Sequence, residues 1–167
     1  DLYIGRLPAS NASEAQVLVQ KIKSYEENTS PTDPWFKRAL LIGTKMFGDD
    51  EGAILKDYIG LNYVSADYAV TKLYERDGSL SYWTGDAQIL EQINAGGCVV
   101  NYAGHGGYDF LNGWIPGDGQ SIPWWYYSTT DAYALTNGAK LPGIFTCSCL
   151  TSKFDDSSEC IGEAFML

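Results

Sequence analysis

The chain has 167 residues, 45% of them hydrophobic, and carries a formal charge of −10, which is enough apolar material for one ordinary core. That acidic balance, with Arg6, Arg38 and Arg76 scattered along the chain, excludes a surface built to neutralise phosphates, so nucleic acid is not an expected partner. No run approaches the roughly 20 apolar residues that cross a bilayer, and no basic head with an apolar segment opens the chain, so membrane insertion is not expected.

Residues 2–5 read as a short strand. Asn11 with Glu14 has the form of a capping box before a helix whose Ala15, Leu18, Val19, Ile22 and Tyr25 keep helical spacing. Thr, Ser, Pro and Asp over 28–34 break that pattern, after which 39–43 reads as a buried strand running into the acidic loop 48–52. A helix is predicted to follow, to Tyr58 or Ile59. Residues 68–74 alternate enough for a strand, and Asp86 is placed to cap a helix carrying Ile89, Leu90 and Ile93 that ends at Gly96 and Gly97.

The apolar run CVVNYAGHGG over 98–107 is the next predicted strand, and it ends at His105, the one histidine of the chain. Residues 106–130 are rich in Gly, Pro and aromatics, with Trp114, Trp124, Trp125, Tyr126 and Tyr127; so long a loop with so many rings points to function rather than disorder. A short helix near 131–135 leads to a second apolar run, LPGIFTCSC, predicted to be a strand ending at Cys149. Ser158 is the expected cap of a last helix that turns Cys160, Ile161, Ala164 and Phe165 inward. The alternation gives an α/β fold class, a mostly parallel sheet with helices on both faces. Residues 1–167 are read as one domain, and an apolar helix pattern still running at Leu167 gives the expectation that the natural protein continues.

The chemistry sits at the ends of the two apolar runs. A parallel sheet presents reactive groups at the carboxyl ends of its strands, and an imidazole with a terminal thiol makes a cysteine–histidine dyad. A solitary histidine is by default structural, but Gly104 and Gly106 remove bulk on either side of His105, where a substrate backbone would approach. Cys98 and Cys160 read as small buried hydrophobes. Cys147 and Cys149 share a sheet face if the strand persists, and Cys149, at its end, is the expected nucleophile with Cys147 beneath it. A phosphatase loop would need an arginine about six positions after its cysteine, where this chain has Asp155. The four cysteines lack paired C-x-x-C spacing, so no zinc site is expected. Whether Cys98 and Cys160 are bridged is not decided by the sequence. Asp49, Asp50, Glu51 and Asp57 leave a strand at the same predicted edge; one of them could orient the imidazole or receive a basic substrate side chain.

The pairing of YAGHGG with LPGIFTCSC, the following CIGEAF, the opening DLYIGRLPAS and the KIKSYE helix resembles the gingipain-type cysteine peptidases, relatives of caspases and legumain in fold. The resemblance runs along nearly the whole chain. It implies a caspase-like three-layer sandwich and a cysteine endopeptidase that cleaves proteins or peptides through a thioester. His105 matches the catalytic histidine, Cys149 the nucleophile, and the N–H groups of Gly106 and Cys149 the oxyanion hole. Ala103, Gly104 and Cys147 match residues lining the primary specificity pocket, with Asp57 a candidate there and Asp49 or Asp50 as histidine orienter. It also implies an extracellular or cell-surface location, no required cofactor, and calcium as a possible structural ion, with Asp49, Asp50, Asp118, Asp155 and Asp156 as oxygen donors. The family's catalytic unit is longer than this chain, which is thus expected to be a partial catalytic domain. The alternative function is a non-catalytic peptide- or glycan-binding module that keeps the fold and uses the aromatic stretch.

Overall fold

The computed structural model describes residues 4–47, 50–75, 86–113 and 125–167. Its first helix, α1 (Ala12–Asn28), begins at Asn11, whose side-chain oxygen accepts from the N–H groups of Ser13 (3.0 Å) and Glu14 (3.1 Å). Glu14 returns the favour one residue earlier than the usual box, accepting from the Ser10 N–H at 2.6 Å. Of the strand expected over 2–5, Leu2 and Tyr3 lie outside the described residues, and Ile4 and Gly5 pair with nothing regular.

A four-stranded parallel sheet follows, built from β1 (Arg38–Gly43), β2 (Ala69–Tyr74), β3 (Val99–Ala103) and β7 (Gly143–Cys147) in the order β2-β1-β3-β7. Between β1 and β2 runs α2 (Glu51–Asn62), and α3 (Asp86–Asn94) precedes β3. Gly96 then turns the chain with φ +88°, a conformation glycine adopts without the penalty of a side chain. Strand β1 lies at the centre and is buried on both faces, as its unbroken Ala-Leu-Leu-Ile run requires. Leu40 and Ile42 join Leu73, Val100 and Tyr102 on one face, covered by Ile89 and Ile93 of α3 and by residues of the later helices. Leu41 points the other way, to Ala53 of α2 and Tyr74. Helices thus cover both faces, as the alternation predicted.

The chain winds from β1 outward to β2 and then returns to lay β3 on the opposite side of β1. The strand order therefore reverses at the carboxyl ends of β1 and β3, the place where open α/β sheets bind ligands. Both Thr44 and Gly104 leave the sheet at that point.

The aromatic stretch is not one long loop. His105–Gly106 (β4), Phe110–Asn112 (β5) and Tyr126–Ser128 (β6) form a small antiparallel sheet, leading directly into α4 (Thr129–Tyr133). Two of its rings are core: Trp125 stands edge-on to Tyr102 at 6.3 Å and Tyr127 stacks on Phe165 at 5.7 Å, both nearly or fully buried. Trp114 and Trp124 lie outside the described residues. The last helix, α5 (Ile161–Met166), starts later than Ser158 predicts. Its N-cap is Cys160, whose N–H donates to Glu163 at 2.8 Å, so Cys160 is buried at a helix start rather than on a helix face.

Candidate active site

Three strand ends are stitched together at this edge of the sheet. The Thr44 N–H donates to the Ala103 carbonyl (2.9 Å), the Gly52 N–H to the Thr44 carbonyl (3.1 Å) and the Gly104 N–H to the Cys147 carbonyl (3.2 Å). These bonds carry the ladder one step beyond the strands and satisfy backbone groups that would otherwise be buried unpaired. They also fix where the next residues, His105 among them, must project.

The histidine turn is clamped from beneath. The buried Tyr102 hydroxyl reaches the His105 carbonyl at 2.6 Å, with the Asn112 carbonyl 2.9 Å away. Burial drives the Tyr102 phenol well above its ordinary range, so it remains a donor at any working pH. Gly104 has no room for a side chain: a Cβ would stand 2.2 Å from Thr44 Oγ1 and 2.4 Å from the Tyr102 hydroxyl. The glycine beside His105 is therefore required by packing.

The imidazole Nε2 lies 2.8 Å from the Met46 carbonyl. A carbonyl only accepts, so Nε2 carries the proton and Nδ1 is the ring position able to take one up. This contact of the ring is made by a peptide group. Asp49 lies outside the described residues, and Asp50 Oδ1 is buried without a hydrogen-bond partner among them. On the other side of the same residue, the Met46 N–H donates to Glu51 Oε2 at 3.1 Å, so the acidic run anchors the residue whose carbonyl faces the ring.

On the β7 side the strand ends at Cys147, two residues sooner than the apolar run suggests. Cys149 stands in the loop that follows, exposed, so Cys147 and Cys149 are not successive members of one strand face. Leu150 next to it has φ +59°, the left-handed region that a leucine rarely enters. The loop is seated on the histidine turn. A Cβ on Gly106 would stand 2.3 Å from Ser148 Oγ and 3.2 Å from a Thr151 methyl, so the absence of a side chain at Gly106 lets the two segments meet. Thr151 is tied onward to α5, its carbonyl accepting from the Gly162 N–H at 2.8 Å, and the Tyr108 carbonyl accepts from the Ile161 N–H at 2.9 Å. One helix start thereby holds both segments together.

The remaining expected residues separate into two groups. Ala103, fully buried, and Cys147, exposed, are register partners on neighbouring strands. Asp57 points elsewhere, its carboxylate accepting from Lys72 at 2.7 Å and from the Tyr74 hydroxyl at 3.1 Å. Sequence reasoning missed three groups: the Met46 carbonyl, Lys56, and Ser148, whose buried hydroxyl has no partner among the described residues. Only the position of Ser148 between two cysteines could have signalled it. No group of three or more His, Cys, Asp and Glu among the described residues converges to hold a metal ion. Of the donors considered for calcium, Asp156 pairs with Lys153 at 2.9 Å, and Asp49 and Asp118 lie outside the described residues. All four cysteines are free thiols.

A histidine turn and a cysteine loop meeting at the switch point of a caspase-like sheet invite comparison with known peptidases. The family model described as peptidase family C25 matches residues 1–167. This chain belongs to peptidase family C25. Among its C25 relatives, gingipain R2 of Porphyromonas gingivalis is 28% identical over 172 residues, an alignment that takes in 99% of this chain and 21% of that protein. Lys-gingipain of the same bacterium is 26% identical over 165 residues, covering 98% of this chain and 9% of that protein. The crystal structure of the Arg-specific cysteine proteinase gingipain R superimposes with a TM-score of 0.76 at 26% identity, over 98% of this chain and 35% of the other. The α/β caspase-like architecture expected from the sequence is therefore that of this C25 chain. It spans about a fifth or less of the length of these curated relatives.

Proposed function

We propose that this chain is the catalytic part of a longer cysteine endopeptidase, with Cys149 as nucleophile and His105 as acid and base. The observation that carries the reading is the seating of the Cys149 loop on Gly106, next to an imidazole whose Nε2 is already committed to a carbonyl. His105 Nδ1 takes the thiol proton, and the Cys149 thiolate attacks the scissile carbonyl carbon. Negative charge developing on the carbonyl oxygen is received by the N–H groups of Gly106 and Cys149. Collapse to a thioester expels the amine, which takes its proton from the imidazolium, and water then releases the acid. Ala103, Gly104 and Cys147 line the place of the substrate side chain that precedes the scissile bond. The substrate class is protein or peptide, and the location is extracellular or cell surface, in keeping with the bacterial relatives. Among the described residues no helix is long and apolar enough to cross a membrane.

The test is mapping, by mass spectrometry, of a peptide-based thiol-reactive probe on the parent, His105→Ala and Cys149→Ala proteins. Labelling confined to Cys149 and lost with His105→Ala, together with loss of turnover in Cys149→Ala, is the expected result. Turnover that survives Cys149→Ala removes the assignment.

A further inference from the structure

Lys56 lies on α2, in a segment that sequence reading gives only as a helix running to Tyr58 or Ile59. The structure turns it inward, and the residue is 1% exposed. Its ammonium donates to Asn101 Oδ1. Asn101 and Ala103 are two apart on β3 and so share the sheet face that α2 covers, with Cys147 opposite Ala103 in register. Cys147 is near enough to act electrostatically on Lys56. An ammonium has three N–H donors, and among the described residues Asn101 Oδ1 is the acceptor it has.

Helical side chains lean toward the helix start, and four residues before Lys56, on the same face, is Gly52. A Cβ at Gly52 would stand 2.3 Å from the Thr44 carbonyl oxygen and 2.8 Å from that of Ala103. No side chain, acidic or otherwise, fits there. Asp57, the acid expected to receive a basic substrate group, is turned toward Lys72 and Tyr74 on β2. The charge facing the strip of Asn101, Ala103 and Cys147 is therefore a cation. Phe145 and Cys147 carry the same sheet face onto β7, opposite Asn101 and Ala103 in register.

Resting on the peptidase reading above, we infer that Lys56 is the specificity-determining residue of the primary pocket, and that the pocket takes an acidic side chain, aspartate or glutamate, before the scissile bond. A carboxylate laid along Ala103 and Cys147 supplies the acceptors the ammonium lacks, giving charge-assisted hydrogen bonds to a cation already shielded from water. An arginine or lysine side chain brings a like charge against a buried cation. Burial lowers Lys56 to about 8, with Cys147 opposing that shift, so it remains mostly protonated at neutral pH.

The experiment compares cleavage by the full-length protein of peptides that differ only in the residue before the scissile bond: Asp, Glu, Ala, Arg or Lys. Expected is a kcat/KM at least about 30-fold higher for the acidic peptides than for the basic ones, all of it lost in Cys149→Ala. Lys56→Met, close in volume, should erase the acidic preference, bringing the Asp-to-Ala ratio of kcat/KM to within about threefold of one. Asn101→Asp, which neutralises the ammonium from β3 and leaves α2 untouched, should erase it as well. A purely structural Lys56 would lower all substrates alike and leave their ratio unmoved. Cleavage after Arg or Lys that depends on Cys149, or an acidic preference that survives both substitutions, overturns the inference. Binding separates this from the catalytic reading: Cys149→Ala protein is titrated with product-like peptides ending in Asp or Arg, with and without Lys56→Met. Lys56-dependent preference for Asp in binding without turnover in the parent upholds the pocket and defeats the dyad. No such preference in binding or in turnover defeats the pocket.

Discussion

The turn after β3 and the loop after β7 leave neighbouring strands at the same edge of the sheet, yet they are held in opposite ways. The histidine turn is locked from below by Tyr102 and Thr44, with no room even for a methyl group at Gly104. The cysteine loop is exposed at Cys149 and Leu150, bends through a left-handed residue, and is fixed mainly by what it leans on: Gly106 on one side and the start of α5 on the other. The first segment is rigid because it continues the core, and the second is rigid only as long as its neighbours are. In the mechanism proposed here this places precision in the imidazole and adaptability in the thiol, which must move from attack to acyl transfer.

The sharpest way to break this contrast is to add bulk under the histidine. Gly104→Val should cost about 3 kcal/mol or more, because Thr44 and Tyr102 are buried and cannot yield, and denaturant melts would show it. Tyr102→Phe should cost about 1–2 kcal/mol by removing the one hydroxyl donor that the His105 and Asn112 carbonyls share. Peptidase activity should fall further than that loss of stability accounts for. In the cysteine loop the sign reverses: Leu150→Gly removes a left-handed leucine and should leave stability unchanged or raise it by about 0.5 kcal/mol.

A pH series sharpens the comparison at the helix behind the site. In the unfolded chain Lys56 keeps its proton up to its ordinary value of 10.5, whereas burial brings the folded value to about 8. Between those values the unfolded state binds more protons, so the Lys56 contribution to stability rises with pH across that window. The cost of burying the charge is full below 8 and relieved by 10.5. Asn101 and Cys147 face the ammonium, and a Cys147 thiolate, by favouring the charged form, would narrow the window. Lys56→Met should therefore be more stable than the parent at pH 7, with the gap closing as pH rises, and urea melts of the pair would read it. The smallest effect belongs to Asp57→Asn. Its pairing with Lys72 is roughly half exposed, with side-chain exposures of 40% and 47%, and should be worth only a few tenths of a kcal/mol.

Much of the architecture was legible because it is local. Apolar runs placed β1 within one residue of where it lies and β3 within two, and Asn11 and Gly96 marked helix boundaries through capping and backbone freedom that depend on immediate neighbours. The two apolar runs that end near His105 and Cys149 also located the site, since a parallel sheet leaves reactive groups at its carboxyl edge. Errors arose where local pattern and tertiary packing compete. Cys149 was read as a strand end because LPGIFTCSC is apolar throughout, but pairing with β3 stops at Cys147 opposite Ala103, the last residue of β3. The aromatic stretch read as a loop because Trp125 and Tyr127 follow glycine and proline, yet those rings complete the core beside Tyr102 and Phe165.

The sequence by itself determined the α/β class, the central buried strand, the helix starts set by their own caps, and the two residues proposed here as the dyad. It could do so because hydrophobic period and capping are encoded within a few neighbouring positions. Only the tertiary structure decided which acid or base faces what. Met46 lies 59 residues from the imidazole it contacts, and Lys56 lies 45 residues from Asn101. Nothing in the neighbourhood of either residue distinguishes them from ordinary loop and helix positions. Their roles are set by parallel register and by the close approach of Gly52 and Gly104 to the backbone and side chains beside them, which a linear pattern does not contain.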